Sequence, residues 1–168
     1  HGLDAYLSPE MKSTGEAIGY DDKLTRALYK ALKASGMNVT NYGTVLATIA
    51  DRDKKEALPL IRRFYRLGFN IQATGGTAGF LKDHGIRTHT VKKIGEGSTE
   101  IPDALRQGYV TYVINTRDVS SSNVLSDGSE IRRLAVENNV TLFSSLDTVR
   151  VLLDVLEETT LGVSTIDA

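Results

Sequence analysis

The fold is decided by the stretch Ile71-Gln72-Ala73-Thr74-Gly75-Gly76-Thr77-Ala78-Gly79, in which a β-prone run meets a turn of small residues and then a helix. In such a turn the glycines can take positive φ and Thr77 can be the N-cap of the helix. Because the first N–H groups of a helix and its dipole attract negative charge, the turn predicts a site for a phosphate or a carboxylate. The alternative is a tight turn that binds nothing.

The composition excludes several classes of protein. The chain has 168 residues, of which 40% are hydrophobic, and this predicts one well-formed domain with an appendage. Its 20 Lys and Arg residues nearly balance its 21 Asp and Glu residues, so we expect neither nucleic acid nor a membrane as partner. The absence of cysteine excludes disulfides and thiolate nucleophiles and fits a cytoplasmic protein. No apolar run approaches the ~20 residues of a membrane span.

The chain repeats a unit in which a short apolar strand is followed by a helix. Residues 1–20 are interpreted as a leader from a preceding domain, and residues 21–42 as an amphipathic helix with a connector. The domain proper is predicted at residues 43–168, as a three-layer α/β fold whose five-stranded parallel sheet carries helices on both faces. The second helix contains Pro59, which should lie in its first turn or mark a kink. Strands are predicted at residues 45–50, 69–73, 88–91, 109–115 and 141–144.

Polar and basic residues follow the predicted strands at their carboxyl ends. In an open parallel sheet these ends meet at one edge, where ligands bind. Lysine ammonium groups, hydroxyls and an amide at such an edge suit a phosphorylated small molecule. Taken singly, each residue has a simpler reading as part of a solvated loop. The residues concerned are Asp51–Lys54, Thr74–Thr77, Lys92, Lys93, Asn115 and Thr116.

Catalytic and metal-binding patterns are weaker. The three histidines, His1, His84 and His89, have no metal-ligand spacing, so no metal site is expected. Ser120–Ser122 have no histidine base placed by a motif, which argues against a serine nucleophile. None of the carboxylates in loops has a recognisable catalytic partner. Those considered for acid–base work are Asp51, Asp53, Glu96, Glu100, Asp103, Asp118 and Asp127.

The order of these motifs resembles the methylglyoxal-synthase-like fold. Within that superfamily the chain looks most like the C-terminal allosteric domain of the large subunit of bacterial carbamoyl-phosphate synthetase. The segment Ser8–Glu16 is similar to the end of the second ATP-grasp unit of that subunit, and Ile131-Arg132-Arg133 with Ala135 matches the fourth helix. The motifs that carry the resemblance are Asp53-Lys54, Ala73-Thr74-Gly75-Gly76-Thr77, Val91-Lys92-Lys93-Ile94-x-Glu96-Gly97 and Val113-Ile114-Asn115-Thr116.

The resemblance implies a regulatory domain that has no catalytic residues or cofactor of its own. The parent ligase makes carbamoyl phosphate from glutamine-derived ammonia, bicarbonate and ATP with Mg or Mn ions, for pyrimidine or arginine synthesis. The implied partners are a nucleotide effector such as uridine monophosphate, the rest of the large subunit and the glutaminase small subunit; homo-oligomers of the domain are also considered. The implied effector-phosphate contacts are Lys54, Thr74, Gly75, Gly76, Thr77, Lys93, Asn115 and Thr116. The implied sugar and base contacts are Thr48, Ile94 and Asp127.

Two departures from the family pattern concern the effector. Arg117 stands where the family has a hydroxyl after the Asn-Thr pair, and the loop 118–126 matches poorly. Because a guanidinium binds phosphate in a bidentate manner, Arg117 favours a more heavily phosphorylated ligand, such as phosphoribosyl pyrophosphate acting as an activator.

Two other functions remain open. A methylglyoxal-synthase-type lyase acting on dihydroxyacetone phosphate needs a carboxylate in a Gly-Gly-Asp segment after the third strand. Here that segment is Gly95-Glu96-Gly97-Ser98-Thr99, which lacks the aspartate but retains Glu96. The cyclohydrolase domain of purine synthesis has a similar Gly-Gly-Thr turn, but the leader and the short C-terminus argue against it.

Overall fold

The computed structural model describes residues 22–37, 39–116 and 127–161. The predicted leader at residues 1–20 and the loop residues Arg117, Asp118 and Ser120–Ser122 lie outside these ranges. Short 3-10 turns occur at Asp51–Asp53 and Ile94–Glu96. In chain order the helices and strands are α1 (Asp22–Ala34), β1 (Thr44–Thr48), α2 (Lys54–Arg66), β2 (Asn70–Thr74), α3 (Gly75–Asp83), β3 (His89–Val91), α4 (Glu100–Gln107), β4 (Val110–Asn115), α5 (Asp127–Glu137), β5 (Thr141–Phe143) and α6 (Leu146–Leu161).

The strands form one sheet in the order β3-β2-β1-β4-β5. All neighbouring strands in it are parallel. The predicted fold class, a five-stranded parallel sheet flanked by helices, is therefore confirmed. Each strand begins and ends within two residues of its predicted bounds.

The helices lie on both faces because the chain changes direction across the sheet. From β1 it steps outward to β2 and β3, and it then returns to the other side of β1 to add β4 and β5. Right-handed crossovers place α2 and α3 on one face and α4 and α5 on the other. In agreement, α2 contacts α3, and α4 contacts α5. The boundary between β1 and β4 is therefore the switch point, where open sheets of this kind bind ligands.

Alternate residues of the central strands supply two hydrophobic cores. Val45 of β1 pairs in register with Tyr112 of β4, whose ring centroid lies 6.0 Å from that of Phe64 in α2. On the opposite face, Leu46 pairs with Val113, and both belong to a buried cluster with side chains of α4 and α5. Both faces of β1 and β4 are buried, as expected for central parallel strands, and their pairing places their carboxyl ends side by side.

Helix α2 contains Pro59 in its second turn, so the first of the two predicted alternatives, a place in the first turn, does not hold, and the second, a kink, stays a prediction. Helix α2 begins at Lys54, directly after the 3-10 turn Asp51–Asp53. Pro59 is exposed on the helix surface. Because α2 begins directly after the 3-10 turn, its first residue, Lys54, lies close in sequence to the carboxyl end of β1.

The chain divides into two compact units. One consists of residues 1–41 and 147–168, whose described helices are α1 and α6 from Asp147 onward; the other, Tyr42–Leu146, contains the sheet and α2 to α5. Within the first unit, the Asn41 amide donates a hydrogen bond of 3.3 Å to the Thr160 hydroxyl. The predicted division at residues 20 and 42 stays a prediction. No helix in the described ranges combines the length and the hydrophobicity that a membrane span requires.

Candidate anion-binding site

The carboxyl ends of β1 and β4 meet at the switch point. Thr48, the last residue of β1, pairs in register with Asn115, the last residue of β4. The pairing continues one step further, since the Thr116 N–H donates to the Thr48 carbonyl oxygen over 3.2 Å. The predicted site residues Thr48, Asn115 and Thr116 are therefore brought together.

The Thr-Gly-Gly-Thr turn differs from its prediction in two respects. Helix α3 begins at Gly75, so the N-cap is Thr74, which is extended (φ −73°, ψ 161°), and the expected cap Thr77 lies within the first turn of the helix. Neither Gly75 nor Gly76 has positive φ, because both already belong to the helix. The Thr74 side chain makes no capping hydrogen bond. The first N–H groups of α3 thus have no side-chain acceptor from the cap residue.

Two threonine hydroxyls hold the segment that leaves β1. The Thr77 hydroxyl accepts a hydrogen bond from the Ile49 N–H over 3.0 Å and lies 3.4 Å from the Ile49 carbonyl, to which it can donate. The Thr116 hydroxyl accepts one from the Ala50 N–H over 3.1 Å. Both threonines are buried. Their hydroxyls were predicted to contact a ligand phosphate, and in this structure they fix the loop between β1 and α2.

Lys54 places its ammonium group beside the start of α3. A Cβ built on Gly76 would lie 3.3 Å from Lys54 Nζ, so the absence of a side chain at Gly76 is what leaves room for the lysine. Lys54 also donates a hydrogen bond to the carboxylate of Asp51. Its side chain is only 16% exposed, whereas that of Asp51 is 93% exposed. Asp51 can therefore turn into solvent with little loss of contact while Lys54 stays in place.

Lys54 and Lys93 both lower the pKa of Asp51. The hydrogen bond from Lys54 and the charge of Lys54 lower the pKa of Asp51 below its usual value of 3.8, and the charge of Lys93 lowers it further. Asp51 is therefore ionised at neutral pH. Lys54, Lys93 and the start of α3 at Gly75 and Gly76 form what we call the lysine site, in which the side chain of Lys54 is largely buried and the carboxylate of Asp51 is exposed.

The segment after β3 presents Lys93 on a short 3-10 turn. The Lys93 N–H donates to the Glu96 carboxylate over 3.1 Å, and the Lys92 N–H donates to the Glu100 carboxylate over 3.4 Å. Ile94 is partly buried against the α4 and α5 core. The segment after β3 is therefore a folded turn, and the packing of Ile94 gives this residue a structural role beside its predicted contact with a sugar or base.

Asn115 has the least satisfied side chain of this region. The residue is 4% exposed, and its Oδ1 has no hydrogen-bond partner within the part of the chain that the structure describes. An unpaired buried amide oxygen costs about 1–3 kcal/mol, and a ligand that offers a donor removes that cost. The sequence predicted Asn115 as a contact but gave no sign of this burial.

The remaining candidates are placed as follows. Asp127 is the first residue of α5, and its side chain and Arg117 are not described. Asp103 Oδ1 lies 4.0 Å from Arg106 Nη1, and Asp53 Oδ2 lies 4.0 Å from Arg52 Nε. Among the described residues, no group of three or more His, Asp or Glu residues is arranged to hold a metal ion. The residue that sequence reasoning underrated is Asp51, whose spacing of three from Lys54 at a helix start was the available signal.

The chain is similar to known proteins over most of this region. A family model described as MGS-like domain matches residues 56–144, more than half of the chain. That match includes the turn before α3 and the ends of β3 and β4, and it begins just after Lys54. Among solved structures, methylglyoxal synthase from Elizabethkingia anophelis is similar with a TM-score of 0.56 and 20% identity, covering 68% of this chain and 79% of that chain. At this identity the likeness supports the fold alone.

Proposed function

Because the chain belongs to the family of MGS-like domains, we propose that it is the allosteric domain of a carbamoyl-phosphate synthetase large subunit and binds a phosphorylated nucleotide effector at the lysine site. The observation that carries the proposal is the approach of Lys54 Nζ to Gly76 at the start of α3. The resemblance of Ser8–Glu16 to the segment that precedes this domain supports the narrower assignment over other members of the family.

The lysine site supplies what a phosphate group needs. The N–H groups at the start of α3, which receive no capping bond from the Thr74 side chain, would donate to the ligand, and the helix dipole favours its negative charge, while Lys54 and Lys93 add charge-assisted hydrogen bonds. The phosphate displaces the exposed carboxylate of Asp51 from Lys54. In this arrangement the rest of the nucleotide extends over the switch point, where Asn115 Oδ1 accepts a hydrogen bond from a ribose hydroxyl or a base N–H.

The test is a calorimetric titration with uridine monophosphate, inosine monophosphate and phosphoribosyl pyrophosphate in turn. We expect saturable binding of one of them to the wild type. The double variant Lys54→Ala/Lys93→Ala loses two charge-assisted contacts, which should cost about 3 kcal/mol or more, roughly a hundredfold in affinity. The matched control is Lys55→Ala/Lys92→Ala, which removes the neighbouring exposed lysines and should bind as the wild type does. Equal affinity of the two double variants would place the site elsewhere.

A regulatory role requires more than binding. The effector must bind the two states of the whole synthetase with different affinity, because a ligand with equal affinity for both shifts nothing. In the synthetase assembled from its large and glutaminase subunits, with ATP and Mg or Mn ions, the effector should change the rate of carbamoyl phosphate formation. The Lys54→Ala/Lys93→Ala variant should keep the basal rate and lose that response.

A methylglyoxal-synthase-type lyase is the second candidate. It is favoured by Asp51, a carboxylate that is ionised at neutral pH and lies beside the lysine site, where it could take a proton from carbon next to the carbonyl of dihydroxyacetone phosphate. The test is methylglyoxal and phosphate release from dihydroxyacetone phosphate by the purified protein. Turnover that is lost in Asp51→Asn would overturn the purely regulatory proposal, and absence of turnover together with effector binding would support it.

A further inference from the structure

A cavity lies at the opposite end of the sheet from the lysine site. It has a volume of about 440 Å³ and is lined by the start of β1 at Thr44, by Asn70–Gln72 of β2 and by His89 of β3. Because β1 runs from Thr44 to Thr48, this cavity and the lysine site are separated by about 13 Å of strand. We call it the amino-end cavity. Its volume is within the range of small-molecule sites.

Three aromatic rings line the amino-end cavity. Phe69 is buried at 2% exposure, whereas Tyr65 and Tyr109 are 39% and 42% exposed and therefore accessible from solvent. Rings that face a cavity offer stacking surface for a planar ligand at a low cost in conformational entropy. The apolar part of this wall therefore favours an aromatic ring over a flexible chain.

The polar part of the wall contains an unsatisfied amide. Gln72 Nε2 donates to the Tyr109 hydroxyl over 3.3 Å, but Gln72 Oε1 is buried without a hydrogen-bond partner among the described residues. Gln72 lines the cavity and the terminal torsion of a glutamine is soft, so rotation of the amide can turn this oxygen toward a bound ligand. A ligand that presents an N–H donor would satisfy it.

The rim of the amino-end cavity is basic. Arg87 and His89 both line it and are exposed, and within the described part of the chain neither forms an ion pair. A guanidinium beside aromatic rings is suited to hold the carboxylate of a planar molecule, since it donates two parallel hydrogen bonds. The cavity thus offers stacking surface, one acceptor and one cation.

We propose that the amino-end cavity is a second ligand site, which binds a planar aromatic carboxylic acid bearing an N–H donor. The ring stacks against Tyr65 and Tyr109, the donor bonds to Gln72 Oε1, and the carboxylate pairs with Arg87. The amino-end cavity lies at the opposite end of the sheet from the lysine site, so binding at this cavity does not depend on the proposed effector.

The experiment is an NMR titration of the nitrogen-15-labelled protein with 4-aminobenzoate. Two related probes separate the contributions: benzoate has the acid without the donor, and 4-aminobenzamide has the donor without the acid. We expect 4-aminobenzoate to shift the Gln72 side-chain amide and the backbone amide of Tyr109 saturably, with an affinity in the millimolar range. Each of the other two probes should bind at least about tenfold more weakly.

Variants assign the contacts. Arg87→Ala and Gln72→Leu should each weaken 4-aminobenzoate binding about tenfold, whereas the controls Arg132→Ala and Gln107→Leu, which change exposed residues on α5 and α4, should not. Lys54→Ala/Lys93→Ala should leave it unchanged. The proposal is overturned by the absence of saturable shifts at Gln72, by equal binding to Arg87→Ala and Arg132→Ala, or by loss of binding in the lysine variant.

Discussion

Replacing Gly76 with alanine is expected to separate folding stability from anion binding. Gly76 lies in the first turn of α3 and does not have positive φ, so alanine fits the backbone there. Alanine in a helix is up to about 1 kcal/mol more favourable than glycine. For a chain of this size that gain raises the melting temperature by about 2–4 °C. The new methyl group meets only the flexible end of Lys54, so its steric cost to folding is small.

Binding should change in the opposite direction. The methyl carbon would lie 3.3 Å from Lys54 Nζ, close enough that the ammonium must move by a few tenths of an ångström. It would also occupy space beside the first N–H groups of α3, where the phosphate oxygens are expected. Losing or lengthening one charge-assisted contact costs about 1.5–3 kcal/mol, so we expect affinity to fall about tenfold or more.

The assay compares Gly76→Ala with Gly79→Ala in thermal unfolding and in calorimetric titration with uridine monophosphate and inorganic phosphate. Gly79 is in the same helix, is exposed, and has open space around its missing side chain, so its substitution gains the same helix propensity without reaching Lys54. Both variants should be at least as stable as the wild type. If Gly76→Ala binds as tightly as Gly79→Ala does, the placement of the anion beside Lys54 and α3 is refuted.

Three further outcomes are expected. Thr77→Val should destabilise the fold by about 1–3 kcal/mol in chemical denaturation because the Ile49 N–H loses its buried acceptor, while Thr77→Ser should restore most of the loss. Asn115→Leu removes an unpaired buried acceptor, so it should unfold at an equal or higher temperature yet bind the effector more weakly; a large loss of stability would contradict the burial described above. In a carbon-detected NMR titration, Lys54→Ala should raise the pKa of Asp51 toward its usual value of 3.8. The ion pair is present above the lowered pKa and is lost as the pH falls through it, so an unchanged Asp51 titration would contradict the pairing.

The layered fold could be predicted because its signals are local. Short apolar strands alternate with amphipathic helices, and glycines such as Gly108 (φ 82°) follow the helix ends. The order of the strands could not be predicted, since it depends on contacts between residues far apart in sequence. That order is what makes β1 and β4 neighbours and so defines the switch point.

The candidate site was predicted as a set of residues but not as an arrangement. Lys54, Lys93 and Asn115 were found because they follow strands. The sequence could not show that Thr77 bonds to the backbone at Ile49 instead of capping α3, because that contact joins residues 28 positions apart. Nor could the sequence show that Gly76 matters because its missing side chain leaves space for Lys54, since glycine in a turn usually indicates unusual backbone geometry.

The hydroxyls of Thr77 and Thr116, which bond to the backbone of Ile49 and Ala50, should affect both the association rate and the entropy of ligand binding. They join the end of β1 to both α3 and β4 before any ligand arrives, so little backbone has to be ordered on binding. Complex formation should therefore show a small entropic penalty and a single fast association phase, with no slower step in which the loop rearranges around its ligand.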